Sequence, residues 1–142
     1  MSDTPFATGR CVCGEVTYTI NAEPLRMAQC HCKGCQRASG GGHMSLAFFN
    51  ETDLSISGQT GEHAATADSG NVNTRRFCTS CGGRLFGSNS ARPGLIAVAV
   101  GSVDDNSWFK PQVTVYADSK PAWDSLAADA PSFPAMPPPP PK

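Results

Sequence analysis

The sequence predicts a mainly β domain of short antiparallel strands in stacked sheets, organised around metal sites. Three observations carry that expectation. Glycine and proline are frequent, at 14 and 12 of 142 residues, which suits many turns between short strands. Apolar residues alternate with polar ones in several short runs, and one continuous apolar run has strand length; these are the patterns of half-buried and fully buried strands. Seven cysteines fall into three tight clusters, a pair, a triple and a pair.

The elements follow in order. Val16, Tyr18 and Ile20 alternate with polar neighbours, which predicts a half-buried strand over 15–20. Just before it, Cys11 and Cys13 stand two apart, so an extended chain there points both sulfurs to one face. Asn21-Ala22-Glu23-Pro24 reads as a turn, and 25–29 as a strand leading into Cys30-His31-Cys32-Lys33-Gly34-Cys35. Residues 36–42 read as a loop whose Gly40, Gly41 and Gly42 permit close approach of a ligand or a backbone. Strands are expected over 43–49 and 53–56, joined by a turn. The polar segment 58–73 reads as an extended loop or irregular hairpin. Cys78-Thr79-Ser80-Cys81-Gly82-Gly83 has the form of a zinc knuckle. A short strand follows over 84–87, a central buried strand over 95–100 and a last strand over 112–116. Trp123 is expected to pack against the sheet, and Asp124 to cap a short helical turn. The proline-rich tail, 134–142, lacks the residues to build a core.

Length fits one domain. The formal charge of −1 gives no basic footprint for nucleic acid. No apolar run approaches the roughly 18 residues of a membrane span. The N-terminal residues lack the basic and apolar regions of a secretory signal. With an odd cysteine count, this favours metal ligands in a reducing cytoplasm over a disulfide framework.

The triple Cys30, Cys32 and Cys35 can serve one metal by itself, leaving a fourth position open as in a catalytic site. Cys11, Cys13, Cys78 and Cys81 then make a closed structural site. This partition uses every cysteine and keeps each cluster intact. A partition that leaves Cys78 and Cys81 as a redox pair, and an iron–sulfur cluster on four thiolates, are alternatives. Zinc, two ions per chain, is the metal the knuckle form favours.

Five segments occur in the order seen in the glutathione-dependent formaldehyde-activating enzyme family. They are Gly9-Arg10-Cys11-Val12-Cys13-Gly14-Glu15-Val16, Cys30-His31-Cys32-Lys33-Gly34-Cys35-Gln36, Phe77-Cys78-Thr79-Ser80-Cys81-Gly82-Gly83-Arg84-Leu85, Gly101-Ser102-Val103-Asp104 and Pro121-Ala122-Trp123. The resemblance spans 6–133 and is shared with the domain of centromere protein V. It implies a β-tent fold, a structural zinc on Cys11, Cys13, Cys78 and Cys81, and a catalytic zinc on Cys30, Cys32 and Cys35.

A zinc on three thiolates suits an incoming sulfur, and a thiol bound to metal loses its proton readily. The expected activity is that of a carbon–sulfur lyase on a thiol adduct of a small carbonyl compound. The resemblance implies glutathione, formaldehyde and S-hydroxymethylglutathione. Arg37, Arg75, Arg76 and Lys33 are candidates for holding substrate carboxylates, with Gly40 and Gly41 as a wall of little bulk. His31, between two ligands, faces away from the metal if the segment is extended. His43 and His63 read as surface or core residues. The alternative function is a non-enzymatic, zinc-stabilised protein-interaction module, in which His43 closes the triple as fourth ligand.

Overall fold

The computed structural model describes residues 4–136. The last six residues of the proline-rich tail, 137–142, lie outside the described residues. The strands run β1 (Ala7–Arg10), β2 (Thr17–Ile20), β3 (Arg26–Cys30), β4 (Met44–Asn50) and β5 (Leu54–Ser57). They continue as β6 (Thr60–Thr66), β7 (Val72–Cys78), β8 (Arg84–Asn89), β9 (Leu95–Ala99) and β10 (Val113–Val115). One helix, α1 (Lys33–Ser39), lies between β3 and β4. No helix among the described residues is long and apolar enough to cross a membrane. The chain forms two compact units, one running to Arg26 with Ala47–Phe109, the other of Met27–Leu46 with the chain from Lys110 on.

In the first unit the alternation of Val16, Tyr18 and Ile20 holds: all three are buried. β2 is the middle strand of an antiparallel sheet ordered β1-β2-β5. A three-residue 3₁₀ turn, Glu51–Asp53, carries the chain from β4 into β5, which pairs with β2. β6 to β9 form an antiparallel run ordered β9-β8-β7-β6. Leu85, Phe86 and Val98 are completely buried there. Tyr18 of β2 meets Phe86 of β8 edge-on, ring centroids 5.1 Å apart, so the two sheets share one core. Gly9 is opposite Tyr18 in the register, and a Cβ on it would strike the Tyr18 ring and the Ser102 carbonyl.

Phe86 is the largest single anchor of this core, together with Phe49. Truncating it leaves a cavity between the sheets. Phe86→Ala is expected to cost about 3–5 kcal/mol, read as a lowered denaturation midpoint of the metal-loaded protein; a change under about 1 kcal/mol would contradict this packing.

The 58–73 segment is more regular than its pattern suggests. β6 and β7 form a hairpin in unbroken register from Thr60↔Cys78 to Thr66↔Val72. β6 stands at the sheet edge and is exposed over most of its length, so it carries no apolar alternation to betray it.

In the second unit β3 pairs with β10, and the pairing is parallel: Val113↔Ala28 to Val115↔Cys30. All three residues of β10 are buried. Its other edge is covered by the beginning of the proline-rich segment. Thr114 exchanges hydrogen bonds with Pro131 and Phe133, and the Tyr116 amide reaches Ala135. Prolines cannot donate, but their carbonyls still accept. Residues 131–135 therefore belong to the folded unit. Trp123, expected as a packing residue, is 73% exposed.

α1 is the element the sequence reading missed. Cys32, in extended conformation, caps it by accepting the Cys35 amide on its sulfur at 3.3 Å. Gly40 ends it in the left-handed region at φ 77°, where a residue without Cβ has no steric penalty. At seven residues the helix is too short for a hydrophobic period to show.

Candidate metal centres

In the first unit β1 leads into Cys11, β7 ends on Cys78 and the turn after it carries Cys81. The Cys11–Gly14 segment is a turn rather than an extended strand: the Gly14 amide bonds the Cys11 carbonyl at 3.2 Å, and Gly14 adopts φ 81°. The turn brings the two sulfurs together more closely than an extended CxC would. The second pair sits in the predicted knuckle, closed by Gly82 N–H to the Cys78 carbonyl at 2.9 Å with Gly82 at φ 75°.

These turns aim backbone donors at sulfur. Val16 N–H reaches Cys11 Sγ at 3.3 Å, Ser80 N–H reaches Cys78 Sγ at 3.3 Å, and Gly83 N–H reaches Cys81 Sγ at 3.4 Å. The sulfurs of Cys11 and Cys13 are 3.6 Å apart, and those of Cys13 and Cys78 3.7 Å. Ligands on a tetrahedron with zinc–sulfur bonds of about 2.3 Å stand about 3.8 Å apart, so the donor set fits one such ion. It is far too open for disulfides, whose sulfurs lie about 2.05 Å apart, and none of the seven cysteines forms one.

The thiols share charge unevenly. Amide bonds from Cys13 and Gly83 hold Cys81 down to about 6. Cys13 takes an amide bond from Glu15 that favours its thiolate, yet burial and the three neighbouring sulfurs push it up to about 12. Four thiolates do not coexist here without a cation. At neutral pH Cys81 is already ionised, whereas Cys13 gives up a proton when metal enters. Apparent affinity is therefore expected to rise with pH above 6, by about tenfold per unit for each proton released. It falls more steeply below 6, where Cys81 protonates as well. Competition with a chromophoric zinc chelator at pH 5, 6, 7 and 8 checks this; a flat profile contradicts it.

In the second unit Cys30 ends β3, and Cys32 and Cys35 bracket the first turn of α1. Their sulfurs lie within 4.8 Å of one another. Cys30 and Cys35 are buried and Cys32 is half-buried. The Cys30 thiol is raised by its two sulfur neighbours and then by burial, the state of a group that ionises when a cation arrives. No fourth His, Cys, Asp or Glu joins this group among the described residues. The loop is held from behind. His31 N–H bonds the Val115 carbonyl at 3.1 Å, and the Gln36 side-chain amide donates to the His31 carbonyl at 2.8 Å and the Ser119 carbonyl at 2.9 Å. Gln36 closes the second of the five segments quoted from the sequence, where it had no role; only its place in the helix reveals the clamp.

His31 is completely buried, which lowers its affinity for a proton. Its Nδ1 lies 3.1 Å from the Gly42 carbonyl and 3.3 Å from Asp124 Oδ2. His43, expected as a bland residue or a fourth ligand to the triple, instead bonds Asp124 Oδ2 through Nδ1 at 2.6 Å. Asp124 caps no helix; its side chain is occupied by these imidazoles and the Ser125 amide.

The candidate anion-binding residues are dispersed. Lys33 and Arg37 are exposed on α1. Arg75 and Arg76 lie on β7 of the first unit. Arg76 is committed to Thr60 Oγ1 and to the face of the Phe86 ring, 5.2 Å from its centroid. Gly40 is the helix cap, and space is open around it.

A family model described as glutathione-dependent formaldehyde-activating enzyme matches residues 6–119. The chain belongs to this family. The match covers both thiol groups, so these enzymes' glutathione-dependent formaldehyde activation is the chemistry against which the thiol groups are read. A crystal structure of a Rhodobacter sphaeroides protein is similar in fold, with a TM-score of 0.56 and 19% identity, over 89% of this chain and 99% of that one. No curated protein matches.

Proposed function

We propose that this member of the family is a zinc-dependent carbon–sulfur lyase that joins a thiol to formaldehyde and parts the adduct again. The thiol is glutathione or a close relative, and the adduct is the S-hydroxymethyl thioether. The observation that carries the reading is the Cys30, Cys32 and Cys35 group, three convergent thiols with no fourth His, Cys, Asp or Glu among the described residues. In this reading Cys11, Cys13, Cys78 and Cys81 hold a structural zinc, the fold is a β-tent, and the thiols stay reduced in a cytoplasm.

When bound at the triple, zinc supplies an acidifying site for a substrate thiol. The residues do the rest. Cys32, the least buried of the three, marks the side of approach. The Cys35 amide on its sulfur and the Gln36 clamp fix the loop, so little ordering is left for the moment of binding. Arg37 and Lys33 are the candidates of this unit for a substrate carboxylate; Gly40 and Gly41 leave room beside them. Arg75 and Arg76 belong to the other unit, and Arg76 is already engaged. In the joining direction the sulfur–hydrogen bond breaks, a carbon–sulfur bond forms at the carbonyl carbon, and the carbonyl oxygen gains a proton. Zinc-loaded protein should accelerate exchange of ¹³C-formaldehyde with S-hydroxymethylglutathione, seen by NMR magnetisation transfer. No acceleration with glutathione or any small thiol would remove the reading.

A further inference from the structure

His31, His43, Asp124 and the carbonyl of Gly42 make a second donor cluster in the unit that holds the thiol triple. We infer that this cluster is a third metal site, built for a borderline divalent ion such as zinc, iron(II) or nickel(II) and separate from both thiol groups.

Four observations support it. The His31 nitrogen, His43 nitrogen and Asp124 oxygen that face one another all lie within 4.8 Å. Donors around an ion at about 2.1 Å stand roughly 3.0–3.4 Å apart. His31 Nδ1 to Gly42 O at 3.1 Å and His31 Nδ1 to Asp124 Oδ2 at 3.3 Å already have that spacing. The 2.6 Å contact of His43 with Asp124 must open, by less than about 1 Å on the same scale.

The ring of His31 makes its polar contacts through Nδ1 alone. Its Nε2 is buried without a hydrogen-bond partner, so Nδ1 is the atom the fold directs into the cluster. Gly42 completes the site from the backbone side. A Cβ there would run into the Asp124 carboxylate, so the absence of a side chain is what lets carbonyl and carboxylate share one centre. His31 is sealed inside, whereas His43 and Asp124 keep 27% and 16% side-chain exposure, which gives an ion a way in.

Two imidazoles, one carboxylate and a carbonyl form an N₂O₂ set. Imidazole suits zinc, iron and nickel, and the carboxylate offsets one of the ion's two charges. Without sulfur, the site binds more weakly and exchanges faster than the thiol sites. Its position gives it leverage on them: an ion on His31 fixes the residue between Cys30 and Cys32.

The inference does not depend on the lyase reading, and its test reads metal rather than activity. Protein whose thiol groups carry zinc is titrated with cobalt(II). One further equivalent should bind with weak visible bands and no sulfur-to-cobalt charge transfer in the near ultraviolet. Asp124→Ala and His43→Ala should each weaken that equivalent by at least about tenfold while retaining the zinc on the thiols. If Asp124→Ala does not fold, Asp124→Asn keeps the shape of the side chain, removes its charge and serves in its place. Cobalt that appears only with charge transfer, or binding that both variants leave intact, overturns the inference and leaves a purely hydrogen-bonded cluster.

Discussion

Cys32→Ser is expected to bind one zinc fewer than the parent protein and to lose about 10³-fold or more in formaldehyde exchange, with its unfolding midpoint nearly unchanged. The magnitude follows from what a bound metal contributes at a reacting centre, several kcal/mol, at one factor of ten per 1.36 kcal/mol. The stability expectation follows from position. Cys32 is half-buried at the start of a short helix, and the β3–β10 pairing ends at Cys30 and does not include it. Serine keeps an oxygen where the sulfur accepts the Cys35 amide, so the cap survives. Native mass spectrometry counts the metal, and NMR exchange reads the activity. Loss of the fold along with the metal would show that the triple is structural after all.

Cys78→Ser should do the opposite. Cys78 is 1% exposed and accepts amides from Ser80 and Cys81, while its partners Cys11 and Cys13 lie more than sixty residues away in sequence. A metal on this group ties together segments 65 residues apart. Structural zinc contributes on the order of 10 kcal/mol at neutral pH, against a total stability of about 5–15 kcal/mol for a domain. The variant is therefore expected to be unfolded at room temperature, with near-ultraviolet circular dichroism lost. A strong chelator should produce the same state from the parent protein. A Cys78→Ser protein that keeps native spectra and cooperative unfolding would contradict the structural assignment.

The partition of the cysteines into a group of four and a group of three was legible in the sequence because cysteine spacing is local and chemically specific. CxxC followed by Gly82 dictates a turn whatever surrounds it. The buried strand at Leu95–Ala99 and the alternation at Val16–Ile20 were legible for a similar reason, since burial writes a period into the residues. Three features were not. α1 is set by its ends, a cysteine sulfur on one side, which does not read as a usual cap, and on the other Gly40, hidden in a run of three glycines. The β6–β7 hairpin is an edge with little to bury. The meeting of His31, His43 and Asp124 depends on a contact between residues 81 positions apart, which no local pattern encodes. The sequence reading turned His31 away from the metal if the segment is extended, and it named none of the partners found at its Nδ1.

The reading of Cys30, Cys32 and Cys35 as a centre that accepts a substrate thiol can be tested with cobalt(II) in place of zinc. Glutathione added to the cobalt-loaded parent protein should intensify and shift the sulfur-to-cobalt charge-transfer band, saturably, and the response should be absent in Cys32→Ser. A spectrum that does not change at millimolar glutathione, in protein with both thiol groups loaded, would contradict it.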